Sequence, residues 1–582
     1  MTTAVFVPEQ IDATDWANLE ALFRGLSERE VEDAEGYERW LVDRSELEAA
    51  CSEARANLYI NMTCETSDEE ASKAYAAFIE NVEPKLAPAA FELDKRQVEL
   101  AERFGATGER HEVLHRDTLA EVELFREESV ALKTKVQQLD QKYDTVCGAM
   151  TVEFDGEKKT LPQMSKYLEL TDRAKREAAW RTVAQRRLQD RDTIDGIYDE
   201  MVGLRHRIAN QAGFENYVGY AFKAMHRFDY TPADCRLFHS AVDRVVTPFC
   251  DAVSERRRAE LGVDELRAWD LAVDSKGRSP LNPFEGGADL VAKTRRVMEA
   301  LDGELADLFA ELGDGSTRQG ARGGASFDLD SRMGKAPGGY QYMLDRSRRP
   351  FIFMNAAGLH RDVETMVHEA GHAFHSMLCK TDPLLHYRHS PIEFAEVASM
   401  SMELLTMRHW GVDGGFYDNE ADLARAKRKQ LEGSISLFGH IATIDAFQHW
   451  VYENPEHTRE QRTAAWLDLI ERFGFRGSRI GWEEQDLPAR DAAWHAQPHP
   501  FGVPFYYIEY GIAQLGALQL WVRSLNEGED VAVAAYKNAL ALGGSRPLPE
   551  LFEAAGIRFD FSAEMFATVR EAVERELAKL PE

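Results

Sequence analysis

Apolar and polar positions follow a helical period over most of the first 240 residues. In one example, the apolar positions fall three or four residues apart, at Leu47, Ala50, Cys51, Ala54 and Leu58. This spacing is typical of a helix that buries one face against its neighbours. We therefore expect one helix after another from about residue 15 to about residue 240.

One short segment interrupts the helical pattern. In TVEFDGEKKTL (151–161), apolar and polar residues alternate on both sides of Asp155 and Gly156. Alternation has the period of a strand, and Asp-Gly favours the tight turns that join two antiparallel strands. The segment therefore predicts a small β-hairpin.

The pattern changes again between about residues 262 and 358, where Gly and Pro become frequent and short strand-like runs appear. These runs are AWDLAVD (268–274), ASFDLD (325–330), YQYML (340–344) and FIFMN (351–355). We expect them to form one small sheet. Helical periodicity returns after Gly358 and continues to the end, so the predicted fold class is mainly α with a small β element.

Composition and charge narrow the classes of partner. The 582-residue chain carries a formal net charge of −31 and is 44% hydrophobic, so it can bury a large core but repels phosphate backbones and anionic lipids. Its six cysteines are scattered without a CxxC pair, which argues against a disulfide framework and against a thiolate zinc knuckle. No signal-like start or long apolar run is present. We expect a cytoplasmic protein without nucleic-acid or membrane partners.

The stretch ETMVHEAGHAFHSMLC (364–379) concentrates histidines in an apolar run. Within it, His368, Glu369 and His372 fit the pattern HExxH, whose i, i+4 spacing places two imidazoles about 6 Å apart on one helical face. Zn²⁺ suits imidazole nitrogens at about 2.1 Å, and the adjacent Glu369 can act as a general base without being a ligand. The alternative is a core helix whose histidines find ordinary partners.

A catalytic zinc site uses a third protein ligand. His375 is on the same face but lies about 10 Å along the helix from His368, so we predict that it is structural. The segment PIEFAEVASMSMELLTM (391–407) predicts a second helix and offers the carboxylates of Glu393, Glu396 and Glu403. A buried carboxylate is costly unless it is paired or bound to a metal, but periodicity does not choose among the three.

Two further motifs precede the C-terminal helices. In HPFGVPFYYIEYGIAQ (499–514), Pro498 and Pro500 predict that His499 lies in a loop, and Pro504 suits the first turn of the next helix. The glycines of RMGKAPGGY (332–340) predict a close backbone approach or a simple connector, and the spacing does not match a phosphate-binding loop.

The motifs together resemble those of a known family. HEAGHAFH (368–375) followed by AEVAS (395–399) is similar to the thimet oligopeptidase and oligoendopeptidase F family of zinc metallopeptidases, and further blocks resemble its oligoendopeptidase F branch. These blocks are RMGKAPGGY (332–340), HPFGVPFYYIEYGIAQ (499–514) and GGSRPLPELFEAAGI (543–557). The resemblance implies that Glu396 is the third ligand of one Zn²⁺ per chain.

The resemblance also implies a fold and an activity. The fold would be a two-lobed, mostly helical body with a deep substrate channel, and the small sheet would lie next to the HExxH helix. On this basis we divide the chain into an N-terminal helical lobe (1–200) and a catalytic lobe (201–582). The implied activity is internal cleavage of short unstructured peptides.

The C-terminal block would supply further site residues. By motif match, His499, Tyr507 and Tyr510 would donate hydrogen bonds to the developing oxyanion, and Tyr506 is a weaker match. From spacing alone, Tyr506 and Tyr510 at i and i+4 are also typical of packing aromatics. The glycine-rich loop would border the cleft, and a neighbouring strand would offer an edge to the substrate backbone.

The sequence therefore predicts a zinc-dependent oligoendopeptidase in which Glu369 is the general base. Ser399 and Glu403 share the helical face of Glu396, so we interpret them as partners that orient the ligands. Two other functions remain open. One is a non-catalytic peptide-binding protein braced by zinc, and the other is an HExxH exopeptidase. The predicted partners are short peptides, and the oligomeric state is left open.

Overall fold

The computed structural model describes residues 6–105, 109–316, 326–336 and 338–581. Two residues of the predicted motifs, Ala325 and Pro337, lie outside the described residues. Helices dominate the described chain, which confirms the predicted mainly α fold class. The helices before the larger sheet are α1 (Trp16–Ser27), α2 (Ala34–Cys64), α3 (Glu69–Asn81), α4 (Glu83–Phe104), α5 (Glu112–Leu124), α6 (Glu127–Gly148), α7 (Leu161–Met164), α8 (Arg173–Leu188), α9 (Arg191–Gln211), α10 (Tyr217–Ala224), α11 (Pro232–Ala241), α12 (Thr247–Leu261), α13 (Gly286–Leu301) and α14 (Gly303–Glu311).

Helices also make up most of the chain after that sheet. They are α15 (His360–Cys379), α16 (Ile392–Thr406), α17 (Glu420–Glu453), α18 (Arg459–Phe473), α19 (Leu487–Asp491), α20 (His499–Gly502), α21 (Tyr507–Glu527), α22 (Glu529–Leu540), α23 (Leu548–Ala554) and α24 (Ala563–Leu577). Among the described residues, no helix is both long and apolar enough to cross a membrane.

The predicted hairpin is confirmed. Strands β1 (Thr151–Phe154) and β2 (Glu157–Thr160) pair antiparallel. The two residues between them, Asp155 and Gly156, have φ angles of 54° and 77°. Positive φ at both central positions is the geometry that favours Asp-Gly in two-residue hairpin turns.

The larger sheet has three strands in the order β3 (Phe327–Asp330), β5 (Arg349–Ala356), β4 (Tyr340–Leu344). The central strand β5 pairs parallel with β3 and antiparallel with β4. Three of the four predicted strands therefore lie in one sheet as expected. The sheet packs beside the HExxH helix, because α15 contacts both β5 and β4.

The fourth predicted strand, 268–274, is wrong. Its residues Ala268–Asp270 form a single 3₁₀ turn instead. The side chain of Asp270 is fully buried and is held by ion pairs to Arg173 and Arg176 at 2.7 and 2.9 Å. It also accepts the backbone N–H of Arg267 at 3.0 Å, which closes the turn. This local and long-range hydrogen bonding outweighs the strand-like alternation of the segment.

The chain divides into two compact units. Unit 1 comprises Met1–Glu123, Leu281–Lys427 and Gly516–Phe559, and unit 2 comprises Leu124–Pro280, Arg428–Leu515 and Asp560–Glu582. The two units are defined by which residues pack together, and they do not test the predicted division. The lobes 1–200 and 201–582 and the substrate channel therefore remain predictions.

Each unit has its own apolar core. In unit 1, the predicted apolar face of α2 packs as expected: Leu47, Ala50 and Cys51 are buried in a cluster that also contains the fully buried Trp40. In unit 2, Phe238, Phe438 and Phe566 form an edge-to-face cluster with ring centroids 5.0–6.0 Å apart. Buried aromatics of this kind supply much of the apolar area that holds helices together.

The HExxH helix α15 begins directly after the central strand. The carboxylate of Asp362 accepts the backbone N–H groups of Ala357 and Leu359 at 2.8 and 2.9 Å. Asp362 thus caps the start of the helix from its third residue, because α15 begins at His360. These bonds satisfy N–H groups just ahead of the helix and fix how α15 leaves the sheet.

Helices α15 and α16 approach each other closely at Gly371. A Cβ atom placed there would lie 2.6 Å from both the carbonyl oxygen of Ala398 and the Cα of Ser399. The same carbonyl accepts a hydrogen bond from the Tyr536 hydroxyl at 2.8 Å. Because the obstacles are backbone atoms, a side chain at this position could be accommodated only by moving a helix. The glycine inside HExxH therefore sets the separation of α15 from α16.

We predict that Gly371→Ala destabilises the protein even though alanine is the better helix former. Overpacking against backbone should cost about 1–3 kcal/mol, more than the roughly 1 kcal/mol gained in helix propensity. The matched control is Gly433→Ala on the exposed face of α17, where a Cβ meets nothing within 4 Å. The control should raise the urea midpoint, and Gly371→Ala should lower it. Equal gains in both variants would contradict the close approach.

Candidate metal centre and catalytic residues

The two histidines of HExxH face the same side of α15. Their rings lie 4.9 Å apart, centroid to centroid, and each side chain is about one fifth exposed, at 21% for His368 and 19% for His372. This follows from the i, i+4 spacing, which stacks side chains on consecutive turns. The pair is thus near the surface of unit 1 without being freely solvated.

The structure brings Glu396 of α16 to this pair. Its Oε2 atom lies 3.4 Å from Nε2 of His368 and 3.6 Å from Nε2 of His372. The three side chains each offer a ligand atom within 4.8 Å of the other two. Of the three carboxylates that periodicity left open, Glu396 is therefore the one that joins both imidazoles.

The charge state of Glu396 suits a cation. Burial by itself would raise the pKa of this carboxyl, but His372, His368 and the Ser399 hydroxyl hold its pKa at about 2. The Ser399 hydroxyl donates to Oε2 at 2.9 Å and orients the carboxylate. A buried, ionised oxygen beside two imidazole nitrogens is a donor set that fits Zn²⁺.

Glu403 fixes the tautomer of His368. Its Oε1 atom lies 2.8 Å from Nδ1 of His368, and because a carboxylate accepts, Nδ1 carries the proton. Nε2, the other ring nitrogen, faces Glu396 and is the one that a cation would take in place of a proton. The two carboxylates raise the pKa of His368 against the opposing effect of burial. Two carboxylates, Glu396 and Glu403, thus lie beside His368, and such surroundings favour a bound cation.

Glu369 lies in the same region but in different surroundings. It is only 6% exposed, and burial raises the pKa of its carboxyl to about 7, with His368 opposing the shift. Its Oε1 faces the glycine-rich loop, since a Cβ placed on Gly339 would lie 3.9 Å from it. A carboxyl that neither joins the ligand set nor ionises readily has the properties of an acid–base group.

His375, predicted to be structural, is 5% exposed and packs its ring 6.1 Å from that of Phe394. Burial lowers the pKa of His375 to about 3, so the imidazole is neutral. The structure does not bring it into the group of His368, His372 and Glu396. Glu393, the remaining alternative ligand, is likewise buried but outside that group.

The predicted oxyanion residues cluster within unit 2. The ring of His499 lies 4.8 Å from that of Tyr507, 5.9 Å from that of Tyr510 and 5.7 Å from that of Tyr506. The prediction that His499 lies in a loop is wrong, because it begins the one-turn helix α20. Pro500 is tolerated there since first-turn N–H groups have no helical partner. The prediction that Pro504 lies in the first turn of the next helix is also wrong, because α21 begins only at Tyr507.

Sequence reasoning missed Gln497 and His440, which support this cluster. The amide nitrogen of Gln497 donates to Nδ1 of His499 at 2.7 Å, so the proton of His499 is on Nε2. Gln497 also hydrogen-bonds His440 and Tyr507. Burial lowers the pKa of His499 and raises that of Tyr507 to about 12, so both remain neutral donors. No periodicity links these positions along the chain.

Comparisons with known proteins show the family and the fold. The family model described as peptidase family M3 matches residues 166–571. The chain is 24% identical over 398 residues to an oligoendopeptidase F homolog of Borreliella burgdorferi, a match that covers 66% of this chain and 62% of that relative. The match thus spans less than two thirds of the relative's length.

Solved structures share the fold over nearly the full chain. An X-ray structure assigned as an oligoendopeptidase F has a TM-score of 0.86 at 26% identity and covers 99% of each chain. PZ peptidase A, solved with an inhibitor, has a TM-score of 0.85 at 26% identity, with 98% of this chain and 99% of that chain covered.

The mainly helical fold is shared with these solved structures. The chain belongs to peptidase family M3, because the family model matches well over half of it. This confirms the resemblance drawn from residues 368–399 and the neighbouring blocks.

Proposed function

We propose that the protein is a zinc-dependent oligoendopeptidase that hydrolyses internal bonds of short, unstructured peptides. The single observation that carries this proposal is the convergence of His368, His372 and Glu396 beside a buried carboxyl, Glu369, that is not part of the set. A purely structural zinc site has no use for such a neighbouring base and prefers a fourth side chain.

His368, His372 and Glu396 would hold one Zn²⁺. When bound, the ion supplies Lewis acidity that polarises the scissile carbonyl and acidifies the attacking water. Glu403 keeps His368 in the tautomer that presents Nε2, and Ser399 orients the Glu396 carboxylate. These partners fix the geometry of the ligands and raise their basicity.

Glu369 would move the proton. It accepts the proton of the attacking water at a carboxylate oxygen and passes it to the leaving amine nitrogen as the peptide bond breaks. Its burial supports the role, because a carboxyl with a pKa of about 7 both takes and returns a proton near neutral pH.

His499, Tyr507 and Tyr510 would stabilise the oxyanion. The Nε2–H group of His499 and the hydroxyl of Tyr507 are both neutral. Each can therefore donate a hydrogen bond to the oxyanion without a prior change of protonation. Donors held in place before reaction lower the barrier of acyl transfer because they match the charge that develops. The Gln497 contact supports this by holding the His499 ring in one tautomer.

The glycine-rich loop and strand β4 would receive the peptide. Within the described sheet, β4 pairs with β5 on one side, so its other side can add an extended chain as a further strand. The loop before β4 borders Glu369 at Gly339, so the free edge of β4 lies near the proposed base.

Six unbridged cysteines support placing the enzyme in the reducing cytoplasm.

We predict that Glu369→Gln keeps the zinc but loses turnover. Removing a general base should lower kcat/KM on a quenched peptide by roughly 10²–10⁴-fold. Zinc content by mass spectrometry should equal that of the wild type, since Glu369 is not a ligand. Glu364→Gln, one turn earlier on α15, is the control and should cleave normally.

The same assay decides between the proposed function and its alternatives. Near wild-type turnover by Glu369→Gln would refute the role of the base. A wild-type protein that holds zinc and binds peptide without cleaving it would indicate a binding protein. Product masses that shorten one residue at a time from a terminus would indicate an exopeptidase, whereas internal fragments support the proposal.

The three carboxylates of α16 should differ in their effect on zinc affinity. Glu396→Gln should cause the largest loss of zinc affinity. Glu403→Gln should weaken zinc binding by roughly 10–100-fold, because it acts through His368, and Glu393→Gln should leave the zinc affinity unchanged. Competition with a chromophoric chelator measures all three. The order is contradicted if Glu403→Gln binds zinc as tightly as Glu393→Gln does.

Tyr507→Phe should lower kcat by roughly 10²–10³-fold with little change in KM, because the donor acts on the transition state and the ring is kept. Tyr167→Phe, another buried tyrosine of unit 2, is the matched control and should retain full rate. If Tyr507→Phe has the same kcat as the control, Tyr507 is a packing residue and not an oxyanion donor.

A further inference from the structure

A second group of metal-ligating side chains lies inside unit 2, on α11 and α17. Cys235 and His239 stand at i and i+4 on α11, and Asp445 and His449 stand at i and i+4 on α17. The two pairs face each other, since Nε2 of His239 donates to Oδ2 of Asp445 at 2.8 Å. Cys235, Asp445 and His449 each offer a ligand atom within 4.8 Å of the other two.

This group is more deeply buried than the HExxH group. Cys235 is 1% exposed, Asp445 0%, and His239 and His449 4% each. A buried carboxylate and buried imidazoles normally find partners for every polar atom. Here Oδ1 of Asp445 and both nitrogens of His449 have no hydrogen-bonding partner within the part of the chain that the structure describes.

Of the two nitrogens of His449, Nε2 faces Asp445, whereas Nδ1 lies 3.9 Å from Oε1 of Glu453. His449 Nε2 is 3.5 Å from Asp445 Oδ2 but lacks hydrogen-bond geometry. The nearby Arg227 forms an ion pair with Glu509 at 2.6 Å, and its positive charge also acts on Asp445. Leaving buried polar atoms unsatisfied is unfavourable, and a cation held between Cys235, Asp445 and His449 would satisfy the Asp445 carboxylate and Nε2 of His449.

The protonation states of Asp445 and His449 agree with such a role, whereas burial raises the pKa of the Cys235 thiol well above its ordinary value, so a metal would have to displace the thiol proton. Burial would raise the pKa of Asp445, but His449, His239 and Arg227 hold its pKa below the ordinary value. Burial lowers the pKa of His449 to about 4, so its imidazole is neutral. An ionised carboxylate and a neutral imidazole are the forms in which these groups bind metals.

We propose that Cys235, Asp445 and His449 bind a second Zn²⁺, which braces α11 against α17, and that His239 orients the Asp445 carboxylate. A thiolate, an imidazole and a carboxylate together favour zinc over the hard cations Mg²⁺ and Ca²⁺. Ligand atoms of a tetrahedral zinc lie about 3.5 Å apart, which is the separation of His449 Nε2 from Asp445 Oδ2. Binding would release the thiol proton of Cys235 to solvent as the sulfur–zinc bond forms.

The first test counts zinc in the full-length chain. After dialysis against metal-free buffer, the wild type should retain two equivalents, and the double variant His368→Ala/His372→Ala should retain one. A correctly folded double variant that retains no zinc overturns the proposal. This outcome is independent of peptidase activity, so failure of the proposed function and failure of this proposal are distinguishable.

The second test identifies the thiolate. When Co²⁺ replaces zinc, a sulfur-to-cobalt charge-transfer band should appear from the second site only, because the HExxH set contains no sulfur. Cys235→Ser should abolish the band, and Cys250→Ser should keep it, Cys250 being a buried cysteine of unit 2 outside the group. A band that survives Cys235→Ser, or a wild type that binds one cobalt without any band, contradicts the assignment.

Discussion

The metal centre depends on the contact between the backbones of α15 and α16. The two imidazoles belong to one helix and the carboxylates to the other, so the distance between the helices decides whether the three groups can share an ion. Gly371 permits that distance, since any Cβ would meet the backbone at Ala398 and Ser399. The residue between the ligands in HExxH is therefore as much a part of the site as the ligands, although it contributes no side chain.

The same short separation creates opposite environments for two glutamates. Glu396 faces the imidazoles and the Ser399 hydroxyl, which hold its pKa at about 2, whereas burial raises the pKa of Glu369 to about 7. One carboxylate is therefore always ionised, as a ligand requires, and the other exchanges a proton near neutral pH. Chemically identical side chains obtain different roles from what surrounds them.

Much of the fold, and the core of the candidate site, could be predicted from local patterns. Helical periodicity predicted α2, the Asp-Gly pair predicted the hairpin, and the HExxH spacing predicted the imidazole pair. Failures came where distant residues decide the conformation: Asp270 forms a turn because Arg173 and Arg176 reach it from α8. Periodicity could not choose Glu396 among three carboxylates, and nothing local links Gln497 to His499, since both depend on how elements pack.

The two side-chain groups show why an i, i+4 pair of ligands does not define a function by itself. Both use such a pair on one helix and meet a second helix. At α15 the imidazoles are partly exposed, so solvent can reach them, and a protonatable carboxyl lies beside them. At α11 and α17 the group is fully enclosed and has no spare base, so an ion there could only hold helices together. Access and a free acid–base group, rather than the ligands, separate catalysis from bracing.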